Sequence, residues 1–207
     1  MSNQYQPLLP SEIYHLFTRA VGAEKLFLKP ENYYFFLSKL KFHTENVCSL
    51  YCYTLIPNHF HLLVRIHDEE LIIKAFEVKK NKSYDPLLHS LPDFIMEKFS
   101  NFLNSYTKAF NKVNQRKGSL FIDYLKRNIV NQNSDFLAFT WYIHKNAVHH
   151  GLTNKVGDWQ FDSYQSLLSN KPTSLLRNDL MAWFDNREEF IIYHQQNIQL
   201  KNDITDI

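Results

Sequence analysis

The sequence lacks several features that define whole classes of protein. Its 207 residues include only four glycines and two cysteines, too few for a glycine-rich linker or a disulfide framework. Cys48 and Cys52 have no second pair to complete a four-thiolate zinc site, so both are expected to stay reduced. No run approaches eighteen apolar residues, and residues 1–10 lack a signal peptide's basic start and apolar run. These absences predict a cytoplasmic protein without a membrane span.

A large excess of one charge is also lacking. The chain has 23 basic and 21 acidic residues, a net charge of +2, so a nucleic-acid-binding surface would have to be local. Between Lys98 and Asn128, seven basic residues stand against one acidic residue, Asp123. This segment is the candidate DNA surface, with Tyr106 and Tyr124 for base stacking. The alternative is the solvated back of an amphipathic helix. Besides Lys98, the basic residues are Lys108, Lys112, Arg116, Lys117, Lys126 and Arg127.

Hydrophobic periodicity predicts an α+β domain. Strands are expected over 13–20 and 119–124, with a hairpin over 49–66 that turns at Pro57-Asn58. Helices are expected from Pro30, from a cap at Asp93, and from Asn133 or Ser134 to about His150. Residues 67–92 are expected to form an inserted loop or short helix, and 174–199 one or two helices. The order strand, helix, strand, strand, helix, strand predicts a ferredoxin-like split βαβ fold. In it, both main helices pack on one face of an antiparallel sheet and the other face is open.

The second arm of the hairpin alternates in hydrophobicity. Phe60, Leu62 and Val64 would point to the helices, so His59 and His61 would point to the open face. Two histidines at i and i+2 on a strand project side by side and can bind one divalent cation. The competing interpretation is two partly buried histidines satisfied by hydrogen bonds, which is the commoner outcome for such a short motif.

Tyr142 and Asn146 lie four residues apart in the third helix and share one of its faces. Over the open side of the sheet, Asn146 could supply an oxygen ligand and Tyr142 a nucleophile beside the same cation. The alternative for Tyr142 is an amphipathic packing residue, since the chain has twelve tyrosines.

These motifs together resemble one family. The run LIPNHFHLLV over 55–64 resembles the HUH signature of single-tyrosine transposases, including the REP-associated group. YHLFTR at 14–19, GSLF at 118–121, YIHKNAV at 142–148, GL at 151–152 and DW at 158–159 follow in the family's order. The resemblance covers roughly residues 12–168. It implies a transposase domain over 1–168, whose catalytic helix adjoins the open sheet face, and a C-terminal helical extension over 169–207. Related sequences often have proline where this chain has Ala147, a change that keeps the helix running.

The resemblance implies a set of roles. His59, His61 and Asn146 would hold Mg²⁺ or Mn²⁺, and Tyr142 would be the nucleophile that forms a 5′-phosphotyrosine link. The partner would be single-stranded DNA with hairpin structure, bound by a monomer or a homodimer. Nucleotide hydrolases with alternating histidines are disfavoured, because their third histidine would fall at Leu63.

Two other functions stay open within this fold. One is a domesticated DNA-hairpin-binding protein that does not transpose, which a mutated nucleophile would have favoured. The other is a relaxase or replication initiator, which shares the chemistry but usually belongs to a longer chain.

Overall fold

The fold is built on a four-stranded antiparallel sheet with the strand order β2-β3-β1-β4. The computed structural model describes residues 6–122 and 125–198. The strands are β1 (Ile13–Arg19), β2 (Cys48–Ile56), β3 (His59–Ile66) and β4 (Lys126–Ile129). The helices are α1 (Pro30–Thr44), α2 (Glu69–Lys80), α3 (Leu91–Val113), α4 (Asn133–His149), α5 (Tyr164–Leu168), α6 (Arg177–Met181) and α7 (Arg187–Gln195).

The strand order confirms the split βαβ prediction. Strand β3 lies between β1 and β2 and runs antiparallel to both, so α1 connects two parallel strands with a third inserted between them. In the β1–β3 register, Arg19 stands opposite His59 and Phe17 opposite His61. Cross-strand partners share a face of the sheet, so this register decides what surrounds the histidines.

One face of the sheet packs on α1 and α3. Phe60, Leu62 and Val64 of β3 join a large aromatic core with Phe36 of α1 and Phe102 of α3. The Phe60 ring lies 4.9 Å from the Phe36 ring, centroid to centroid. The alternation expected of β3 is therefore confirmed.

Helix α3 begins two residues before Asp93. The Ser90 hydroxyl accepts a hydrogen bond from the Asp93 backbone N–H at 3.2 Å and caps the helix. The expectation that Asp93 is the cap was wrong, because Leu91 and Pro92 both fit the first turn.

The other face of the sheet is covered rather than open. Helix α4 lies on β2 and β3, and the C-terminal helices pack around it to form a second core. This core contains Phe136 and Ile143 of α4 together with Leu180 of α6 and Phe190 of α7. Helix α4, which was expected to adjoin an open face of the sheet, therefore covers that face. The division at residue 168 stays a prediction.

The fourth strand lies further along the chain than expected. Phe121 forms only an isolated bridge with Ala20, and the paired strand is β4, which joins β1 from Tyr14 to Phe17. The prediction of a strand over 119–124 was based on the aromatic residues of that segment. The edge strand KRNI instead pairs with β1 through its backbone and needs little apolar surface. Residues 123 and 124 lie outside the described residues.

The insertion over 67–92 contains a helix, α2, which packs on α3. This confirms the short-helix alternative. None of the helices within the described ranges is both long and apolar enough to cross a membrane.

Candidate active site

The two histidines of β3 and two polar residues of α4 meet between the sheet and the helix. The His61 ring lies 5.2 Å from both the His59 ring and the Tyr142 ring, in edge-on arrangements. The Asn146 amide nitrogen lies 3.1 Å from His61 Nε2. These four residues, predicted from segments more than eighty positions apart, share one buried cluster, in which no side chain is more than 6% exposed.

Hydrogen bonding determines which nitrogen of each histidine carries the proton. His59 Nδ1 donates to Asn58 Oδ1 at 3.0 Å, so Nε2 of the neutral ring has the free lone pair. Because the Asn146 amide donates to His61 Nε2, the His61 proton sits on Nδ1 and is donated to His15 Nε2 at 2.8 Å. Neither Nε2 atom therefore carries a proton: the lone pair of His59 Nε2 is free, and that of His61 Nε2 accepts from Asn146.

The cluster contains polar atoms that protein groups leave unsatisfied. His59 Nε2 and Asn146 Oδ1 are buried and have no hydrogen-bond partner in the described part of the chain. Unsatisfied buried acceptors are rare and call for an explanation. Together with His61 Nε2 they form a nitrogen, nitrogen and oxygen donor set that fits a divalent cation. The amide of Asn146 is essential to that set, because the described residues include no group of three His, Cys, Asp or Glu side chains suited to a metal.

Burial keeps both histidines neutral. It lowers the pKa of His59 to about 3, with a smaller effect from the positive charge that His150 can carry. Burial also lowers the pKa of His61 well below its usual range. Protons therefore do not compete for these ring nitrogens near neutral pH.

The nucleophile candidate is protonated in this environment. Burial raises the pKa of Tyr142 to about 12, and a hydrogen bond with Asn146 opposes part of the rise. A phenol with this pKa is almost wholly protonated at pH 7, so its use as a nucleophile requires positive charge nearby.

Two residues that sequence reasoning missed complete the surroundings. His15 of β1 is fully buried, and its Nε2 accepts a hydrogen bond from His61 Nδ1, which fixes the orientation of the His61 ring. Arg19 is exposed opposite His59 and its charge contributes to lowering the His59 pKa. No carboxylate in the described ranges forms an ion pair with Arg19. Both residues could have been found from the sequence if β1 had been paired with β3. That pairing places His15 and Arg19 beside the two histidines of β3.

The predicted DNA-contact residues fall into different settings. Lys108, Lys112 and Lys117 are exposed. Lys126 stands opposite Phe17 and so shares the sheet face of His61. These four lysine side chains reach solvent or the site face.

Arg116 and Arg127 are held by protein contacts. The Arg116 guanidinium donates to Glu24 Oε1 at 3.0 Å and to the carbonyl oxygens of Gly118 and Ser119. Arg127 is 8% exposed and donates to Met96 Sδ. Their role in DNA binding stays a prediction.

The expected stacking role of Tyr106 was wrong. Its ring is 1% exposed and its hydroxyl donates to the Leu26 carbonyl oxygen at 2.5 Å, so it belongs to the core. Tyr124 lies outside the described residues.

Comparison with known proteins gives one informative match. No protein-family profile matches the chain, and no curated protein matches its sequence. Among solved structures, a REP-associated tyrosine transposase bound to a REP hairpin superposes with a TM-score of 0.60. The match covers 84% of this chain and 90% of the transposase chain at 12% sequence identity. The chain therefore has the α+β fold of a REP-associated tyrosine transposase, as its sequence motifs led us to expect.

Proposed function

We propose that the chain is a metal-dependent single-stranded DNA endonuclease and strand transferase of the single-tyrosine HUH family. The observation that carries the proposal is the buried cluster of His59, His61, Asn146 and Tyr142. The shared fold supports it, because the tyrosine transposase with this fold was solved bound to a REP hairpin.

The protein groups have distinct tasks in this reaction. A bound Mg²⁺ or Mn²⁺ would supply the positive charge that offsets the phosphate oxygens and favours the phenolate. His59 Nε2, His61 Nε2 and Asn146 Oδ1 are the atoms that would hold it. His15 keeps the His61 lone pair directed at the same point.

Tyr142 provides the nucleophile. As its phenolic oxygen bonds to phosphorus, the bond from phosphorus to the 3′ oxygen breaks. The phenolic proton is lost and the leaving 3′ oxygen gains one. The product is a 5′-phosphotyrosine and a free 3′-hydroxyl, and the ester energy is retained for rejoining to another strand without ATP.

Arg19 would bind a phosphate at the same site. It lies at the end of β1 opposite His59 with its side chain exposed, and an arginine can hold two phosphate oxygens at once. The preferred substrate would be single-stranded DNA next to a hairpin, since the structural neighbour was solved on a REP hairpin.

The decisive experiment is to trap the covalent intermediate. Purified protein is incubated with labelled single-stranded hairpin oligonucleotides and Mg²⁺ or Mn²⁺, and protein–DNA adducts that survive denaturant are counted. We expect adducts that EDTA and Tyr142→Phe both abolish. Tyr51→Phe is the matched control, because Tyr51 is a buried tyrosine of the same core outside the cluster.

Each result leads to a different conclusion. Adducts that persist with Tyr142→Phe would show that another residue is the nucleophile. Hairpin binding without cleavage under either cation would favour the domesticated hairpin-binding protein.

A further inference from the structure

A basic cleft lies among α1, α2 and α3, on the side of the sheet that packs on α1 and α3. Its volume is about 550 Å³, and three of its lining residues are lysines, Lys74 and Lys79 of α2 and Lys98 of α3. Glu45, just after α1, is the acidic residue among those lining it. Charge in the cleft is therefore predominantly positive.

Lys98 is buried without a carboxylate partner in the described ranges. The residue is 8% exposed, and its ammonium lies 4.6 Å from the centre of the Phe94 ring. Its neighbour Glu97 forms an ion pair with Lys80 at 2.6 Å instead. Burial lowers the pKa of Lys98, the positive charge of Lys79 lowers it further, and the Glu97 carboxylate opposes part of the fall. The protein therefore compensates this ammonium group only in part.

A second unsatisfied group comes from α1. His43 Nε2 is buried and has no hydrogen-bond partner among the described residues. Burial lowers the pKa of His43, followed by the charges of Lys39, Lys98 and Lys79. Lys79 and Lys98 therefore lie near enough to His43 for their charges to affect it, although the His43 ring does not line the cleft.

We propose that this cleft binds a phosphate of the DNA backbone through Lys79 and Lys98. The phosphodiester oxygens would accept hydrogen bonds from both ammonium groups and offset the positive charge of Lys98. Lys74, at the rim, would add a longer-range attraction. Leu71 and Val78 also line the cleft, and their side chains are exposed, so the cleft is open to solvent.

The proposal rests on the proposed function for its choice of ligand. Lys98 lies ten residues before the exposed Lys108 on α3, which corresponds to roughly 15 Å along the helix. One DNA strand rises about 3.4 Å per phosphate, so about four nucleotides would span that distance. The cleft would thus extend the predicted surface at Lys108 and Lys112. Because it lies across the sheet from Tyr142, it would hold DNA away from the bond that is cut.

The test measures hairpin binding in the absence of divalent metal. The double variant Lys79→Gln/Lys98→Met is compared with wild type across a range of NaCl concentrations, by fluorescence anisotropy of a labelled hairpin in EDTA. We expect affinity about tenfold weaker and a log–log salt slope smaller by about 0.9, since one phosphate contact is lost and each contact contributes about 0.9. Lys41→Gln is the control, because Lys41 is a lysine of α1 that lines a different pocket.

Folding is monitored with the same proteins. Lys98→Met keeps the aliphatic stem and removes a buried unpaired charge, so its melting temperature should be equal to or above that of wild type. Adduct formation at saturating DNA should be unchanged, because the cleft is remote from the cluster.

The outcomes separate this proposal from the proposed function. Loss of hairpin affinity in the double variant supports the cleft even if wild type forms no Tyr142 adduct. Affinity and salt slope equal to those of Lys41→Gln would overturn it. So would side-chain NMR signals of Lys79 and Lys98 that shift with inorganic phosphate but not with the hairpin, which would assign the cleft to small oxyanions.

Discussion

At the scale of single residues, burial determines the charge of the candidate site. The pKa of His59 falls to about 3 and that of Tyr142 rises to about 12, both chiefly through desolvation. Near neutral pH the Nε2 atoms of the proposed metal ligands His59 and His61 are therefore free of protons, while Tyr142, the proposed nucleophile, still carries its own. The proposed cation would therefore be needed to favour the phenolate as well as to offset the phosphate charge.

The pH dependence of cleavage should reflect this asymmetry. Below its pKa, a tyrosine gains phenolate as pH rises, so the rate of adduct formation should increase up to tenfold per pH unit between pH 7 and 9. Single-turnover rates at saturating metal measure this. A rate that is flat above pH 7 would mean that loss of the tyrosine proton does not limit the reaction.

Arg19 can be tested independently of the metal. Arg19→Gln should slow adduct formation by roughly 10- to 100-fold, because a phosphate contact is lost. It should leave Mn²⁺ affinity unchanged or slightly higher, because a positive charge near His59 is removed. Titration calorimetry with Mn²⁺ measures the second effect. Arg65→Gln, at the other end of β3, is the control, and weaker Mn²⁺ binding in Arg19→Gln would point to a structural role instead.

At the scale of secondary-structure elements, the sequence was informative wherever one periodicity ran without interruption. The alternation of β3 placed Phe60 and His61 on opposite faces, and the four-residue spacing of Tyr142 and Asn146 placed both on one face of α4. The position of β4 could not be predicted in this way, because an edge strand is fixed by backbone pairing with β1. His15 was missed because its role depends on which strand lies beside β3.

Helix α7 is linked to α4 by a buried chain of hydrogen bonds. His194 Nδ1 donates to the Phe190 carbonyl, so its Nε2 accepts from His144 Nδ1 at 2.9 Å. His144 Nε2 in turn accepts from the Ser163 hydroxyl at 2.9 Å. These bonds join α7 to α4 and to the residue that precedes α5.

Removing an apolar contact of α7 should test how much this helix contributes. Phe190 is fully buried, so Phe190→Ala should lower the free energy of unfolding by about 3 to 5 kcal/mol. Ile192 of the same helix is 49% exposed, and Ile192→Ala should change it by about 1 kcal/mol or less. Urea unfolding followed by tryptophan fluorescence distinguishes them. Equal small effects would show that α7 is only loosely docked.

At the scale of the whole molecule, several buried histidines make stability depend on pH. Burial lowers the pKa of His15 to about 3 and that of His194 to about 4. In the unfolded chain both titrate near 6.5. Below that pH the unfolded state takes up protons that the folded state does not, so stability falls as the pH falls.

Acid unfolding should show this loss. From pH 6 to pH 5, the two histidines together should reduce the free energy of unfolding by about 2 to 3 kcal/mol. Asp162 acts in the opposite sense, because burial raises its pKa to about 7 and the folded state holds a proton there. Asp162→Asn should therefore steepen the loss. Urea titrations at each pH measure both effects, and constant wild-type stability from pH 7 to pH 5 would contradict the prediction.

Strand β3, with its two covered faces, has a consequence for how the gene tolerates mutation. Seven of its eight positions are buried, Arg65 being the exception. A selection for protein abundance should therefore reject substitutions along the whole strand, histidines included. A selection for DNA cleavage should also reject substitutions of Arg19, whose side chain is exposed. The same substitutions should leave protein abundance unchanged. The difference between the two selections, position by position, would separate residues that fold the protein from residues that act on DNA.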